Sequence, residues 1–233
     1  MIMRKYLLLF AVICLLPLES VVAQKKPEVK LGLKFAPNLS FMTASTQGYS
    51  SNGVKFGGIV GLITDFYFAE HYAFSTGFNF SFLGGKIKYA DKIITDSKDT
   101  LSGVTNNNLS FVYLEIPLMI KMFTKKFGRF SLFGQIGFGT GFRIVAHSNK
   151  DFISNKGLSS DQQYDFKGET TLIRESVIIG MGTDFYLDQS TRLFFGLSYS
   201  NSLNNVLKGY NYWTSLNQKA YLNYAELNLG IMF

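Results

Sequence analysis

Charge is scarce in this chain: Asp, Glu, Lys and Arg make up only 17% of its 233 residues, well below the ordinary share of a water-soluble domain. Cysteine is nearly absent. Cys14 stands alone, which excludes a disulfide framework and a thiolate metal site. Beyond the N-terminal segment, no apolar run reaches the ~18 residues a membrane helix needs. No catalytic motif stands out. What the chain has in quantity is hydrophobic and aromatic: 47% hydrophobic residues, 23 Phe, 13 Tyr and 22 Gly. That mix excludes a disordered chain, a coiled coil and a collagen-like repeat. A Phe-rich chain without a spanning helix points to β-structure, and its length fits one domain.

The N-terminus carries an export pattern. Arg4 and Lys5 precede an apolar stretch of 13 residues from Tyr6 to Leu18, and Val21-Val22-Ala23 supplies small residues for cleavage. As a helix that stretch would span about 20 Å, too short for a ~30 Å hydrocarbon core. Residues 1–23 are therefore expected to be a cleaved signal and 24–233 the mature domain. Cys14 leaves with the signal, and Ile13 before it argues against lipidation. Losing Arg4, Lys5 and Glu19 leaves 21 basic and 15 acidic residues, a net charge of +6. That excess suits anionic headgroups, but without clustering or a motif it does not point to nucleic acid.

From Val29 onward, hydrophobicity alternates with the period of strands. Eight segments show it: 30–41, 54–68, 72–83, 109–122, 130–145, 174–186, 192–202 and 221–233. In the third, Phe74, Phe78, Phe80 and Phe82 oppose Ser75, Gly77, Asn79 and Ser81. In the last, Leu227, Leu229, Ile231 and Phe233 oppose Glu226, Asn228 and Gly230. Everywhere one face is aliphatic or aromatic and the other is Gly, small polar or charged.

The connections decide what this means. Those after the second, fourth and sixth segments are short, and the others are long, 84–108 and 146–173 most of all. An even strand count with short turns at one end and long loops at the other is the layout of an outer-membrane barrel. The expected fold is thus all-β, an eight-stranded antiparallel up-and-down transmembrane barrel with short periplasmic turns and long extracellular loops. Its surroundings are outer-membrane lipid. A soluble lipocalin-like barrel shows the same period with the apolar face inward, but its exterior must be charged. Here the non-apolar face is glycine-rich and thin in charge. Pro117 lies inside the fourth segment and cannot donate to a ladder, which predicts a bulge there. Ser110 on the apolar face suggests a bulge or a later strand start, and Glu175 and Asn201 fall on apolar faces near the extracellular rim.

Four stretches carry a family resemblance: YLEIPLMIKM at 113–122, GLKFAPNLSF at 32–41, GLITDFYFAEHYAFSTGFNF at 61–80 and YLNYAELNLGIMF at 221–233. They resemble the PorT-like outer-membrane β-barrel domain family across the mature chain, and YLEIP also puts Pro117 where relatives carry it. The resemblance implies an eight-stranded barrel of didermal bacteria that have gliding or gingipain-type secretion systems. The founding member is associated with type IX secretion. The function so implied is structural or accessory, in the envelope or in protein secretion, with no enzyme activity and no cofactor. Its partners would be envelope or secretion proteins, and the barrel-assembly machinery during biogenesis.

Chemistry is sparse. The lumen-facing charges include Lys34, Lys55, Asp65, Glu115, Lys121, Arg143, Arg174, Asp184, Arg192 and Glu226. Ionisable residues at membrane depth suggest an ion path. Eight strands, however, enclose an interior that side chains fill, so a salt-bridged structural network of Lys34, Asp65, Glu115, Lys121, Arg143, Asp184 and Glu226 is expected. His147, Ser148 and Asp151 offer base, nucleophile and orienter in the third long loop, but adjacent strand residues point to opposite faces. His71 reads as a turn residue beside Glu70. Two distant histidines without cysteine do not make a zinc site. Lys86, Lys88, Lys92 and Lys98 alternate with Asp91, Asp96 and Asp99, as in a solvated loop. Tyr210, Tyr212 and Trp213 form an exposed aromatic cluster, read either as a contact surface for a protein or glycan or as part of the lipid-interface girdle. Phe233 is read as the C-terminal assembly signal. A small outer-membrane enzyme and a narrow pore are the alternatives.

Overall fold

A strand with lipid on one side has no water to satisfy its backbone edge, so it is stable only in a closed ring. The computed structural model describes residues 28–94, 100–155, 157, 159–211 and 215–233. The N-terminal export pattern, Lys98, Tyr212 and Trp213 lie outside them. Twelve strands lie among the described residues: β1 Glu28–Ala44, β2 Tyr49–Ser51, β3 Val54–Ala69, β4 Tyr72–Ile94, β5 Thr100–Phe123, β6 Phe130–Ser154, β7 Ser159–Asp165, β8 Ile173–Tyr186, β9 Arg192–Ser202, β10 Tyr210–Asn211, β11 Leu216–Asn217 and β12 Ala220–Met232. Eight of these (β1, β3, β4, β5, β6, β8, β9 and β12) pair antiparallel with their neighbours in chain order, and β12 returns to β1. The result is the expected all-β up-and-down ring.

The apolar faces point outward. Phe56 is 83% exposed, Met181 71% and Leu197 63%, so a lipocalin-like arrangement with an apolar interior is not what the chain forms. Phe68 stacks on Tyr72 and Phe127 on Phe130 at the short-turn end, as aromatics do at a lipid interface. There the β8–β9 turn is shaped by Asp188, whose Oδ1 accepts the N–H of Ser190 at 2.8 Å and of Thr191 at 2.7 Å. Those donors, Thr191 first, hold its carboxyl down to about 2.

Three strands run past the membrane. β4, β5 and β6 have 23, 24 and 25 residues, against the ~9–11 tilted residues that cross a bilayer. Their upper halves stay paired, β2 adds to β4 at Ser51↔Ile87, and β7 adds to β6 at His147↔Asp165. The stretches 84–108 and 146–173, expected as loops, are therefore mostly a five-stranded sheet beyond the barrel. In β4 the apolar face inverts at the membrane boundary without a change of phase. Phe74, Phe78, Phe80 and Phe82 face lipid, whereas Leu83, Ile87 and Tyr89 face inward, buried, and Lys86 and Lys88 point out.

The bulge expected at Pro117 is not there. Pro117 pairs with Gly139 in unbroken register, and the β4 ladder skips two pairs between Thr76↔Leu118 and Asn79↔Glu115 and then resumes in phase. Where the β4 ladder is interrupted, the Pro117 carbonyl accepts from Thr76 Oγ1 at 2.8 Å. The register shifts of the ring fall elsewhere, opposite Val112/Tyr113 with the extra residue in β6, and at Tyr67/Ala69 in β3. Ser110 needs neither a bulge nor a later start. Lys55 passes over Gly84, where a Cβ would stand 2.6 Å from Lys55 Cδ, and its Nζ donates to Ser110 Oγ at 2.6 Å. Glu175 likewise accepts from the cross-strand Thr140 hydroxyl at 2.9 Å.

The β1–β12 seam runs from Ala44↔Ala220 to Gly32↔Met232 and is extended by Phe233. Phe233 N–H donates to Leu31 O at 2.7 Å, and Leu31 N–H returns to Phe233 O at 3.3 Å. Until this seam forms, both edges expose backbone groups that lipid cannot satisfy. Deleting Phe233 is expected to cut the yield of assembled, heat-modifiable barrel several-fold in a pulse-chase, while pre-assembled barrels resist proteolysis nearly as well as the parent. An unchanged assembly rate would refute the assembly role.

Candidate functional site

The inner face of β12 is a section through the lumen. From the extracellular end it reads Ala220, Leu222, Tyr224, Glu226, Asn228, Gly230 and Met232, that is, apolar, then charged and polar, then apolar. The upper apolar cluster includes Met42, Ile87, Leu109, Phe111, Phe166, Val206, Leu207 and Leu222. Phe166, Val206 and Leu207 come from long connections that tuck into the mouth. The lower cluster comprises Ala73, Phe123, Phe133, Phe194 and Met232. Glycine makes room for its large rings: a Cβ on Gly230 would lie 2.3 Å from Phe194 Cζ, and one on Gly182 would lie 2.5 Å from Phe133 Cζ. The glycine-rich face of the sequence is thus the packing surface of the lumen.

Between the two clusters lie four cations and four carboxylates, all buried or nearly so. Lys34 Nζ binds Glu226 Oε1 at 2.9 Å. Asp65, with no exposure, accepts from Lys121 at 3.1 Å and from Arg192 at 2.8 Å. Arg192 Nε also lies 3.1 Å from Asp184 Oδ2, an ion pair without hydrogen-bond alignment. Lys121 and Arg192 sit over the rings of Phe133 and Phe123 at 5.1 and 5.3 Å, which adds cation–π attraction in a desolvated site. Higher up, Arg174 Nη1 meets Glu115 Oε2 at 3.3 Å, and Tyr224 donates to Glu115 Oε1 at 2.8 Å. Arg174 also donates to Leu222 O from Nε at 3.0 Å and Nη2 at 2.9 Å, and to Ser200 Oγ at 2.9 Å. Every cation in this layer has a carboxylate partner, the condition under which buried charge is tolerable.

The structure thus brings together Lys34, Asp65, Glu115, Lys121, Asp184 and Glu226, and it adds Arg174 and Arg192 as the hubs. Arg143 is a correction. Its Nη1 donates to Lys167 O and Thr170 O, each at 2.8 Å, so it caps the carbonyls of the 3-10 turn Lys167–Glu169 at the mouth rather than joining the ion layer. The bulge in β6 places it there, one step from the inverted upper sheet. His147 and Ser148 face opposite sides: His147 is exposed, while the buried Ser148 donates to Asn107 Oδ1 at 2.7 Å. No triad forms from them. Among the described residues, no group of three or more His, Cys, Asp or Glu could hold a metal ion.

The extracellular end opens into a cleft of about 610 Å³ between the upper sheet and the β9–β12 connection, lined in part by Lys92, Lys150, Glu169, Lys208, Tyr210 and Gln218. Tyr49 supports its floor. Asn211 Nδ2 donates to the Tyr49 hydroxyl at 2.9 Å, Tyr49 stacks on Tyr89 with ring centroids 4.5 Å apart, and burial pushes its hydroxyl above the usual range. Of the expected aromatic contact surface, Tyr210 is placed here, 44% exposed. The cleft lay outside the reach of sequence reasoning, since its walls come from strands far apart in the chain. The polar alternation of Lys86, Ile87, Lys88 and Tyr89 was the available signal.

A closed ring with lipid outside and a neutralised polar layer inside defines the chain as a small outer-membrane barrel. Residues 22–208 match the family model described as outer membrane protein beta-barrel domain, and the chain belongs to that family. It is a protein of the bacterial outer membrane. Among solved structures it is similar to Neisserial surface protein A, with 11% identity over 89% of this chain and 98% of that one and a TM-score of 0.45. It is also similar to the outer membrane protease OmpT from Escherichia coli, with 7% identity over 91% and 99% and a TM-score of 0.42. The attachment invasion locus protein Ail of Yersinia pestis shares 14% identity over 90% and 100%, with a TM-score of 0.34. At such identities no activity comes with the likeness. Curated proteins give no match.

Proposed function

We propose that this is a non-enzymatic, PorT-like accessory barrel, exported through a cleaved signal over residues 1–23, that serves the envelope or a type IX-like secretion apparatus. The observation that carries it is the filled lumen. Asp65, Lys121, Arg192 and Asp184 below, and Glu115 with Arg174 above, occupy the cross-section between two apolar clusters. A barrel so filled acts as an anchor, and what it offers to partners is the sheet of β2, β4, β5, β6 and β7 above the membrane. The opposed faces of His147 and Ser148 weigh against a hydrolase built on them. Envelope or secretion proteins would meet this upper sheet, and the barrel-assembly machinery the Phe233 seam.

Two measurements test the reading. In planar bilayers the purified protein is expected to show no stable conductance of porin size. In cells lacking it, secreted cargo is expected to accumulate unprocessed in the periplasm. A reproducible open channel would replace the anchor reading with a pore, and unaltered secretion would confine the role to the envelope.

A further inference from the structure

The extracellular cleft contains a polar group that the fold leaves unsatisfied. Gln218 is 6% exposed, and among the described residues its Oε1 has no hydrogen-bond partner, which is costly for a buried acceptor. Its Nε2 faces the Tyr49 hydroxyl at 3.5 Å. Gly209 lies against the oxygen. A Cβ there would stand 2.7 Å from Gln218 Oε1 and 3.2 Å from Glu169 Oε2, so two acceptors converge beside a residue with no side chain. Around them the cleft carries three ammonium groups, on Lys92, Lys150 and Lys208, against the carboxylates of Asp91 and Glu169. Tyr210 offers an exposed ring at the edge.

We propose that this cleft binds an acidic saccharide, a polyhydroxylated ring bearing a carboxylate or phosphate. Sugar hydroxyls donate to Gln218 Oε1 and Glu169 Oε2, and the anion sits among the lysines. The C–H face of the ring lies against Tyr210. Among the described residues the lining has no Leu, Ile, Val, Met or Phe, which favours a polar ligand such as a sugar over a peptide side chain. The volume of about 610 Å³ lies in the range of small-molecule sites, about 300–1,000 Å³. The site needs only the barrel and its upper sheet, and stands whether or not the protein serves secretion.

The test is calorimetric titration of the full mature protein in detergent with 3′-sialyllactose, glucose 6-phosphate, neutral lactose and triglutamate. Saturable binding of either acidic sugar is expected, with lactose at least about tenfold weaker, and the tighter of the two acidic sugars identifies the anion. Gln218→Leu removes the acceptor at similar volume and is expected to weaken binding about tenfold. Lys208→Glu, on an exposed side chain, is expected to weaken it several-fold and covers the case in which the first variant fails to assemble by the heat-modifiability criterion. The proposal is overturned if neither acidic sugar saturates, if lactose or triglutamate binds as tightly, or if binding is unchanged in the assembled variants.

Discussion

Replacing Asp65 with leucine is expected to lower the barrel's unfolding free energy by about 3–5 kcal/mol, the cost of leaving a buried charge without its partner. Asp65 has no exposure and holds both Lys121 and Arg192. Its loss leaves two cations sharing Asp184, whose contact with Arg192 is an ion pair without hydrogen-bond alignment. Both cations are packed against the rings of Tyr67, Phe123 and Phe133 and are 8% and 5% exposed. Adding Lys121→Met to Asp65→Leu should recover much of the loss, because it restores the charge balance with a side chain of similar length. Urea unfolding in detergent, followed by loss of heat-modifiability, measures both variants. A single variant as stable as the parent would mean that water reaches the layer.

The second large effect is expected at Arg174, the largest of the fully buried side chains. Arg174→Met removes the ion pair to Glu115 and orphans Leu222 O, which accepts from both Nε and Nη2. Glu115 keeps only the Tyr224 hydroxyl at 2.8 Å. The expected loss is again about 3–5 kcal/mol. Glu115→Gln in the same chain should return part of it by removing the stranded charge, although Leu222 O stays unsatisfied. In contrast, replacing Lys34 and Glu226 together by Met and Leu should be nearly neutral, since removing both members of an isolated buried pair discards the desolvation cost with the attraction. If Arg174→Met and the Lys34/Glu226 double variant cost the same, the hub role of Arg174 is wrong.

Along the membrane-crossing halves, the eight strands were legible in the sequence nearly to the residue. The segment 192–202 coincides with β9, and 54–68 lies one residue short of β3. Lipid imposes this legibility: every second residue must be apolar, and Phe74, Phe78, Phe80 and Phe82 spell that out. Above the membrane the same rule misleads. Water lies outside and an apolar core inside, so Leu83, Ile87 and Tyr89 carry the apolar signal on the opposite phase. A search for one continuous apolar face stops at the boundary and reads the remainder as loop.

The sequence by itself determined the class of fold, the topology, the alternation of short and long connections, and most of the charges that line the lumen. Each follows from local alternation and from connection length, properties that neighbouring residues express without reference to the rest of the chain. Tertiary structure alone decided the pairings: that Asp65 of β3 is shared by Lys121 of β5 and Arg192 of β9, that Arg143 leaves the layer for the carbonyls of Lys167 and Thr170, and that Pro117 stays in register opposite Gly139 while Thr76 bonds its carbonyl. Those contacts depend on ring closure and strand stagger. A period-2 pattern fixes which face a side chain takes but is silent on its height in the barrel, and the height decides which charges meet.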